Sequence, residues 1–426
     1  VNIHCNTTAS DYSYHEKLIL SPAEGTNDIT VQGISDCPGN AQPTLNFNNA
    51  TTSSNMSDSY SAVEQNAGIL ALGEYDTNIT GITIRNLHLT GASQGNAFTD
   101  STGTKQTFAE FSAAIYIEGA INVSILSNTL DTNGIGLFAL TNDGNEEVVE
   151  NLLVQGNTFK NNGVVGSFFE HNSYVEAKGV VYEYNDYQSL TSGAEGATLK
   201  DRSAGAIIRY NYFAPSATIL DLVDAEDSAM LVELPSYADT YVYGNVLDNT
   251  GPSATGIVTE FGNDSGGDDC RPNLYFYDNT VVSSTLTSLF NAQCGNANKF
   301  YVANNIFYSP SASNTATALS LDWGSGTFIY SKTNWFSPGW YRCSGAVWGS
   351  SACTDSVTGT STFLSPANND PGFVNLAGGN YQLAAGSSAL GAGGPLGSGW
   401  PTVTSDPASV GPGATPTPRS NLDIGA

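Results

Sequence analysis

The chain has 426 residues, of which 40% are hydrophobic but only 12% charged, and 45 are glycine. This composition argues against a helix-dominated protein, which draws on Ala, Glu, Lys and Leu, and favours short strands joined by tight turns. The balance of 40 acidic against 13 basic residues gives a formal charge of −27. Such a chain repels nucleic acid and anionic membranes, because phosphate binding needs clustered Lys and Arg.

Taken in chain order, VNIHCN, DITVQGIS and TLNFNN read as early strands, with a polar insertion around 50–65. TIRN then ends a strand at Asn86, and residues 91–112 read as a long loop before the strand AAIYIEG. The repeat of a strand followed by Asn begins with TIRN at Asn86 and recurs at Asn128, Asn157, Asn185, Asn211, Asn245, Asn279, Asn305 and Asn334. From Asn128 onward the steps are 29, 28, 26, 34, 34, 26 and 29 residues. Two residues after each of these later Asn stands an apolar or aromatic residue: Leu130, Phe159, Tyr187, Phe213, Leu247, Val281, Phe307 and Phe336.

A rung of three short strands and three turns takes about 22 to 30 residues, so the pattern predicts a solenoid. The fold class is all-β, a right-handed parallel β-helix with an asparagine ladder. Asn suits the turn because it tolerates a left-handed backbone and its amide can bond the Asn of the next rung. The residue two positions on points into the coil and stacks on its counterparts. A β-sandwich would show neither a fixed period nor a ladder.

After Asn334 come a cysteine-containing segment and DPGFVNLAGGNYQLAAGSSALGAG; the Gly-, Pro- and Thr-rich stretch 393–426 reads as a terminal wrap or tail. Residues 1–392 are read as a single β-helix domain. The six cysteines form three local couples, Cys5 with Cys37, Cys270 with Cys294 and Cys343 with Cys353. Disulfides and an oxidising compartment follow. Asn-x-Ser/Thr sequons at Asn6, Asn49, Asn55, Asn78, Asn122 and Asn263 suit export. With Val first and no apolar run of membrane-spanning length, the expectation is a secreted or cell-surface chain whose signal peptide has been removed.

Stacked rungs place side chains in columns about 4.8 Å apart. Counting from the repeat Asn puts His171, Lys200, Glu226 and Glu260 in nearly one register on four consecutive rungs. His171, Lys178, Lys200, Arg202 and Arg209 lie close together in a chain with only 13 Lys plus Arg and 4 His. Asp221, Asp224, Glu226 and Asp227 follow. A cationic strip beside carboxylates suits an anionic sugar polymer: the cations bind its carboxylates, and a metal or an acid–base pair acts between them. Calcium at Asp224 and Glu226 is the metal to consider, although no D-x-D-x-D-G loop is present. Lys200, Asp201 and Arg202 are consecutive, so Asp201 points away from its neighbours, and a surface ion pair and a site are equal readings of the run. Along their strands Tyr182 alternates with Tyr184 and Tyr210 with Tyr212; one of each pair faces inward and the other can stack on sugar rings.

HNSY at 171–174 and LKDRSAGAIIRYNYF at 199–213 resemble the core of the right-handed β-helix polysaccharide lyases of the alginate lyase and chondroitinase B type. Those enzymes carry a catalytic Lys just before a strand like AIIRYNYF. The same block, with ILDLVDAEDS, VYGNVLDN and VTEFGND after it, is also similar to uncharacterised bacterial β-helix repeat proteins. In that group a Lys-Ser-Arg-Ala signature stands where this chain has Lys200, Asp201, Arg202 and Ser203. DPGFVNLAGGNYQL resembles the closing rungs of many secreted β-helix proteins. The likeness covers roughly 120–390 in architecture and about 170–265 in motif. Two departures count against it. The lyases' Arg, on the rung after the Lys, is missing from LDLVDAEDS, leaving only Arg202 or Arg209 to replace it. The signatures of polygalacturonases, pectate lyases and mannuronan epimerases are not evident.

The leading reading is β-elimination on an acidic polysaccharide. Lys200 is the base, Arg202 or a metal at Asp224 and Glu226 the neutraliser, and His171 or Tyr174 the proton donor. Arg209, Tyr184 and Glu260 are assigned to substrate binding. A Lys base needs burial or a neighbouring positive charge to lower its pKa, which Arg202 could supply and the nearby acids would oppose. One alternative is an inverting hydrolase using Glu226 and Glu260, about 9.6 Å apart if two rungs separate them. The other is a non-catalytic cell-surface structural or adhesive protein, with homo-assembly through its end rungs.

Overall fold

In the computed structural model the chain is described for residues 1–22, 25, 27–53, 66–73, 77–143, 147–251, 257–266, 269–284, 288–294, 298–310, 317–321, 327–330, 333–337, 341–343, 370–406, 417–418 and 423–425. It is a right-handed parallel β-helix, as the repeat predicts. By compactness it divides into two units. One comprises Val1–Val181, Tyr187–Ala204 and Ala225–Glu233; the other comprises Tyr182–Asp186, Gly205–Asp224 and Leu234–Ala426.

Each rung of the first unit contributes one strand to each of three parallel sheets. The first sheet runs through Asn2–Ile3, Thr30–Gly33, Thr83–Arg85, Ala120–Leu126 and Glu150–Gln155. The second runs through Ser13–Tyr14, Thr44–Asn46, His88–Thr90, Thr129–Asp131 and Thr158–Lys160. The third runs through Leu18–Leu20, Ala67–Leu72, Ala113–Glu118, Ile135–Leu140, Ser173–Val175 and Ala197–Asp201. The second unit repeats the plan; its third sheet, for example, runs from Thr218–Leu222 through Ile257–Phe261 and Ser288–Ala292. Among the described residues the only α-helix is the single turn Ala229–Val232.

The repeat's period-two logic holds inside each strand. Ile115, Ile117, Leu137, Ala139, Val175 and Leu199 are fully buried in the coil of the first unit. Leu130, Phe159, Tyr187, Phe213, Leu247, Val281 and Phe307 are likewise fully enclosed. Phe159 and Tyr187 stack at 4.6 Å with their ring planes nearly parallel. Identical turns repeat at the spacing of neighbouring strands, so like side chains fall on like and bury their apolar area against one another.

The asparagines form a ladder with a register the repeat alone leaves ambiguous. In the second unit Asn211, Asn245, Asn279 and Asn305 each accept, through Oδ1, the backbone N–H and the amide of the preceding ladder Asn at 2.9–3.1 Å. The left-handed residue is not the ladder Asn but the one before it: Ser127, Gly156, Tyr184, Tyr210, Gly244, Asp278 and Asn304 have φ between 52° and 65°. Asn86 occupies this left-handed position, and Leu87 takes the ladder place, its N–H bonding Asn128 at 3.0 Å. Asn86 is therefore not a ladder residue. A second, shorter ladder lies one turn on: Asn133 bonds Asn162, whose amide bonds Asn172.

Cys5–Cys37 and Cys270–Cys294 are disulfide-bonded, as their spacing predicts. Cys353, and with it the third couple, lies outside the described residues. Within the long loop at 91–112, Ala97–Thr99 and Lys105–Thr107 pair as a hairpin. DPGFVNLAGGNYQL is not a closing rung: Phe373–Asn375 pairs antiparallel with Asn380–Leu383. The Gly-Gly turn reverses the chain within a few residues, too tightly for a parallel crossover. Trp400 covers Tyr275 and Tyr277, with ring centroids 5.3 and 5.1 Å apart.

Candidate functional site

The outer face of the first unit's third sheet carries an aromatic column that ends in a cation. Ile115 and Ile117 turn inward on Ala113–Glu118, so Tyr116 and Glu118 turn outward. The register pairs Tyr116 with Phe138, Phe138 with Tyr174, and Tyr174 with Lys200. Tyr116 meets Phe138 edge-on at 5.2 Å, and Phe138 meets Tyr174 at 5.0 Å. Lys200 Nζ lies 5.8 Å from the Tyr174 ring centroid, as does Arg202 Cζ, within cation–π range.

Arg202 ties the site together. Its Nε donates to the Tyr174 hydroxyl at 2.8 Å, and its terminal nitrogen meets the Glu226 carboxylate at 2.9 Å. Asp201, between the two cations, turns inward as strand alternation requires. Its carboxylate accepts the N–H and hydroxyl of Ser203 at 3.0 and 2.9 Å. His171 packs edge-on against Tyr174 at 5.6 Å. Its Nδ1 accepts the Ala197 N–H at 2.8 Å, so the ring is neutral and carries its proton on Nε2. Burial pushes the Tyr174 phenol up to about 12, against the lowering pull of Arg202 and Lys200. At neutral pH it holds its proton.

A second constellation adjoins this one and escaped the sequence reading. The Tyr116 hydroxyl donates to Glu118 at 2.7 Å. Burial, then the hydrogen bond that the protonated Glu118 carboxyl donates to Glu147, lifts it to about 8. Over this face lies the segment Ala225–Glu233. Ser228 caps its helical turn and also bonds Asp143 at 2.6 Å, while the Asp227 N–H reaches Glu176 at 3.3 Å. The signal was present in AAIYIEG, whose alternation sends Tyr116 and Glu118 to one face.

The structure brings His171, Tyr174, Lys200, Arg202 and Glu226 together, but not in the register counted from the repeat. Lys200 stands opposite Tyr174 rather than His171, and Glu260 stands opposite Asp221 rather than Glu226. The reason is loop length: Glu226 lies beyond the end of Thr218–Leu222, in the excursion that follows the strand. His171, Tyr174, Lys200 and Arg202 are only 4%, 9%, 7% and 3% exposed, while the Glu226 side chain is half exposed.

Other cations of the strip have acidic partners. Lys178 pairs with Glu150 at 3.0 Å, and Arg209 pairs with Glu183 at 2.6 Å. Tyr184 stacks on Tyr210 at 5.3 Å, and its hydroxyl meets that of Ser405 at 3.1 Å. Tyr182 faces inward and is fully buried. The Asp224 carboxylate accepts the Asp264 N–H at 2.9 Å and the Ser265 hydroxyl. Among the described residues no group of three or more His, Cys, Asp or Glu is placed to hold a metal ion. Among the described residues no helix is long and apolar enough to cross a membrane.

No protein-family model matches the chain, and no curated protein matches its sequence. Among solved structures, a family 28 exopolygalacturonase from Yersinia enterocolitica is similar over 80% of this chain and 78% of its own, at 10% identity and a TM-score of 0.24. Likeness that low transfers no residue role, and the chemistry rests on the geometry of the site.

Proposed function

We propose that the protein is an extracellular polysaccharide-active β-helix that cleaves an acidic glycan by β-elimination at Tyr174, Lys200 and Arg202. The observation that carries the reading is the double engagement of Arg202, which donates to a phenol on one side and holds a carboxylate on the other. Glu226 occupies Arg202 as a uronate carboxylate would. Its side chain is half exposed, and in this reading substrate enters there and takes its place.

With the uronate on Arg202, the guanidinium stabilises charge that develops on the carboxylate as the α proton leaves. Lys200 takes that proton. The electrons form the new C=C bond, the bond to the leaving oxygen breaks, and the protonated Tyr174 phenol supplies the proton that oxygen needs. His171, fixed with Nε2–H and packed on Tyr174, orients the phenol. Arg202 is the neutraliser in this scheme; a cation at Asp224 and Glu226 would need both carboxylates to leave their present partners. The two disulfides fit the oxidising compartment in which such a polymer would be met.

A second reading, a non-catalytic surface scaffold, draws on the burial of Lys200 and Arg202 and on the pairing of Lys178 and Arg209 with acids. Incubation with alginate, polygalacturonate and chondroitin sulfate separates the two. Ultraviolet absorbance of a new conjugated double bond supports elimination. New reducing ends without it indicate hydrolysis, and neither product supports the scaffold.

A further inference from the structure

The loop before His171 presents an apolar surface that nothing in the proposed reaction uses. Val165, Phe168 and Phe169 are 68%, 64% and 57% exposed, three of the eight exposed large apolar residues among those described. Exposed aromatic rings side by side in sequence mark an interaction surface. The loop is held in place: Gly166 N–H bonds Gly193 O at 2.8 Å, Glu195 N–H bonds Ser167 O at 2.9 Å, and Val165 bridges Ala194. The Ser167 hydroxyl accepts the Phe169 N–H at 3.2 Å. The rings are therefore displayed on fixed backbone.

The surface is continuous with the candidate site. Phe169 meets Phe111 at 5.9 Å, and Phe111 packs with Phe138 against the cluster of Ala113, Ile135 and Tyr174. An apolar track thus runs from the exposed rings to the phenol on which Arg202 donates. A pyranose ring has an apolar face of C–H groups that stacks on an aromatic ring, while its carboxylate needs a cation. The phenylalanines match the first requirement and Arg202 the second.

We infer that Phe168 and Phe169 form a stacking platform for a sugar ring of the acidic glycan, in a subsite flanking the one at Tyr174. The assignment rests on the proposed function, and its occupant is a pyranose unit of the same polymer.

The test is the double variant Phe168→Ser/Phe169→Ser, whose changes are at exposed positions and leave the core intact. Affinity electrophoresis through gels containing polygalacturonate, alginate or chondroitin sulfate reads binding without catalysis. Wild type should be retarded by one of these polymers and the variant should not. On the polymer that wild type degrades, KM should rise roughly tenfold and kcat should change far less. Unchanged retardation and KM overturn the platform. Loss of retardation when wild type itself forms no double bond keeps the platform and removes the elimination chemistry. Failure of wild type to bind any of the three overturns both. If light scattering shows that the variant merely dissociates an oligomer, the surface is a contact between copies and the inference falls.

Discussion

Replacing Asn245 by Ala tests whether the ladder holds the second unit together. The side chain is fully buried. Its amide donates to Ile208 O at 2.9 Å, Tyr243 O at 3.1 Å and Asn279 Oδ1 at 3.0 Å, and its Oδ1 accepts the Asn211 N–H at 2.9 Å and the Asn211 amide at 3.0 Å. The Asn211 amide keeps Tyr182 O and Arg209 O as acceptors, and Asn279 Oδ1 keeps the Asn245 backbone N–H. The Asn211 N–H loses its ladder acceptor. A buried donor left without a partner costs about 2 kcal/mol, and the other lost bonds together cost about 2 more, so Asn245→Ala should destabilise by about 4 kcal/mol. At a urea dependence of about 3 kcal/mol per molar, the midpoint should fall by about 1.3 M. The control is Asn2→Ala, whose side chain accepts one exposed bond from Gln32 and whose loss should cost less than about 0.5 kcal/mol. Equal midpoints for the two variants would show that the piled asparagines contribute no more than surface amides.

Four further outcomes follow from the site. Tyr174→Phe should lower kcat by roughly 10² to 10⁴, because the leaving oxygen loses its proton donor, and should also lower the thermal transition, because the buried Arg202 Nε loses its acceptor. Glu226→Gln keeps a hydrogen-bond acceptor for Arg202 but removes the competing charge, so KM for a uronate polymer should fall several-fold; a rise would refute the exchange of carboxylates. Glu118 titrates higher folded than unfolded, at about 8 against the ordinary 4.5. The folded state therefore holds a proton that the unfolded state has released, and stability should decline as pH rises from about 5 to 8. Glu118→Gln should flatten that decline, measured as the urea midpoint against pH.

Residue order was enough to establish the coil: the spacing from Asn128 to Asn334 and the apolar residue two positions on report a strictly local geometry, repeated. Disulfide partners were legible for the same reason, since both observed couples join neighbouring rungs. The left-handed turn position was not, because Ser127, Gly156, Tyr184 and Asp278 share no side-chain type, only a backbone angle. Nor was the exact column of the site. Counting forward from an Asn carries every difference in loop length with it, which is how His171 came to stand for Tyr174, and Glu226 for Asp221.

Composition, period and alternation thus determined that this chain winds, and which side chains of each strand turn in or out, because both follow from contacts a few residues apart. Tertiary structure alone decided that Tyr174 stands beside Lys200, that Arg202 is shared between a phenol and a carboxylate, and that Glu118 lies buried against Glu147. Those relations depend on where excursions such as Ala225–Glu233 fold back, and such returns are set by packing between distant segments rather than by any local preference of the residues involved.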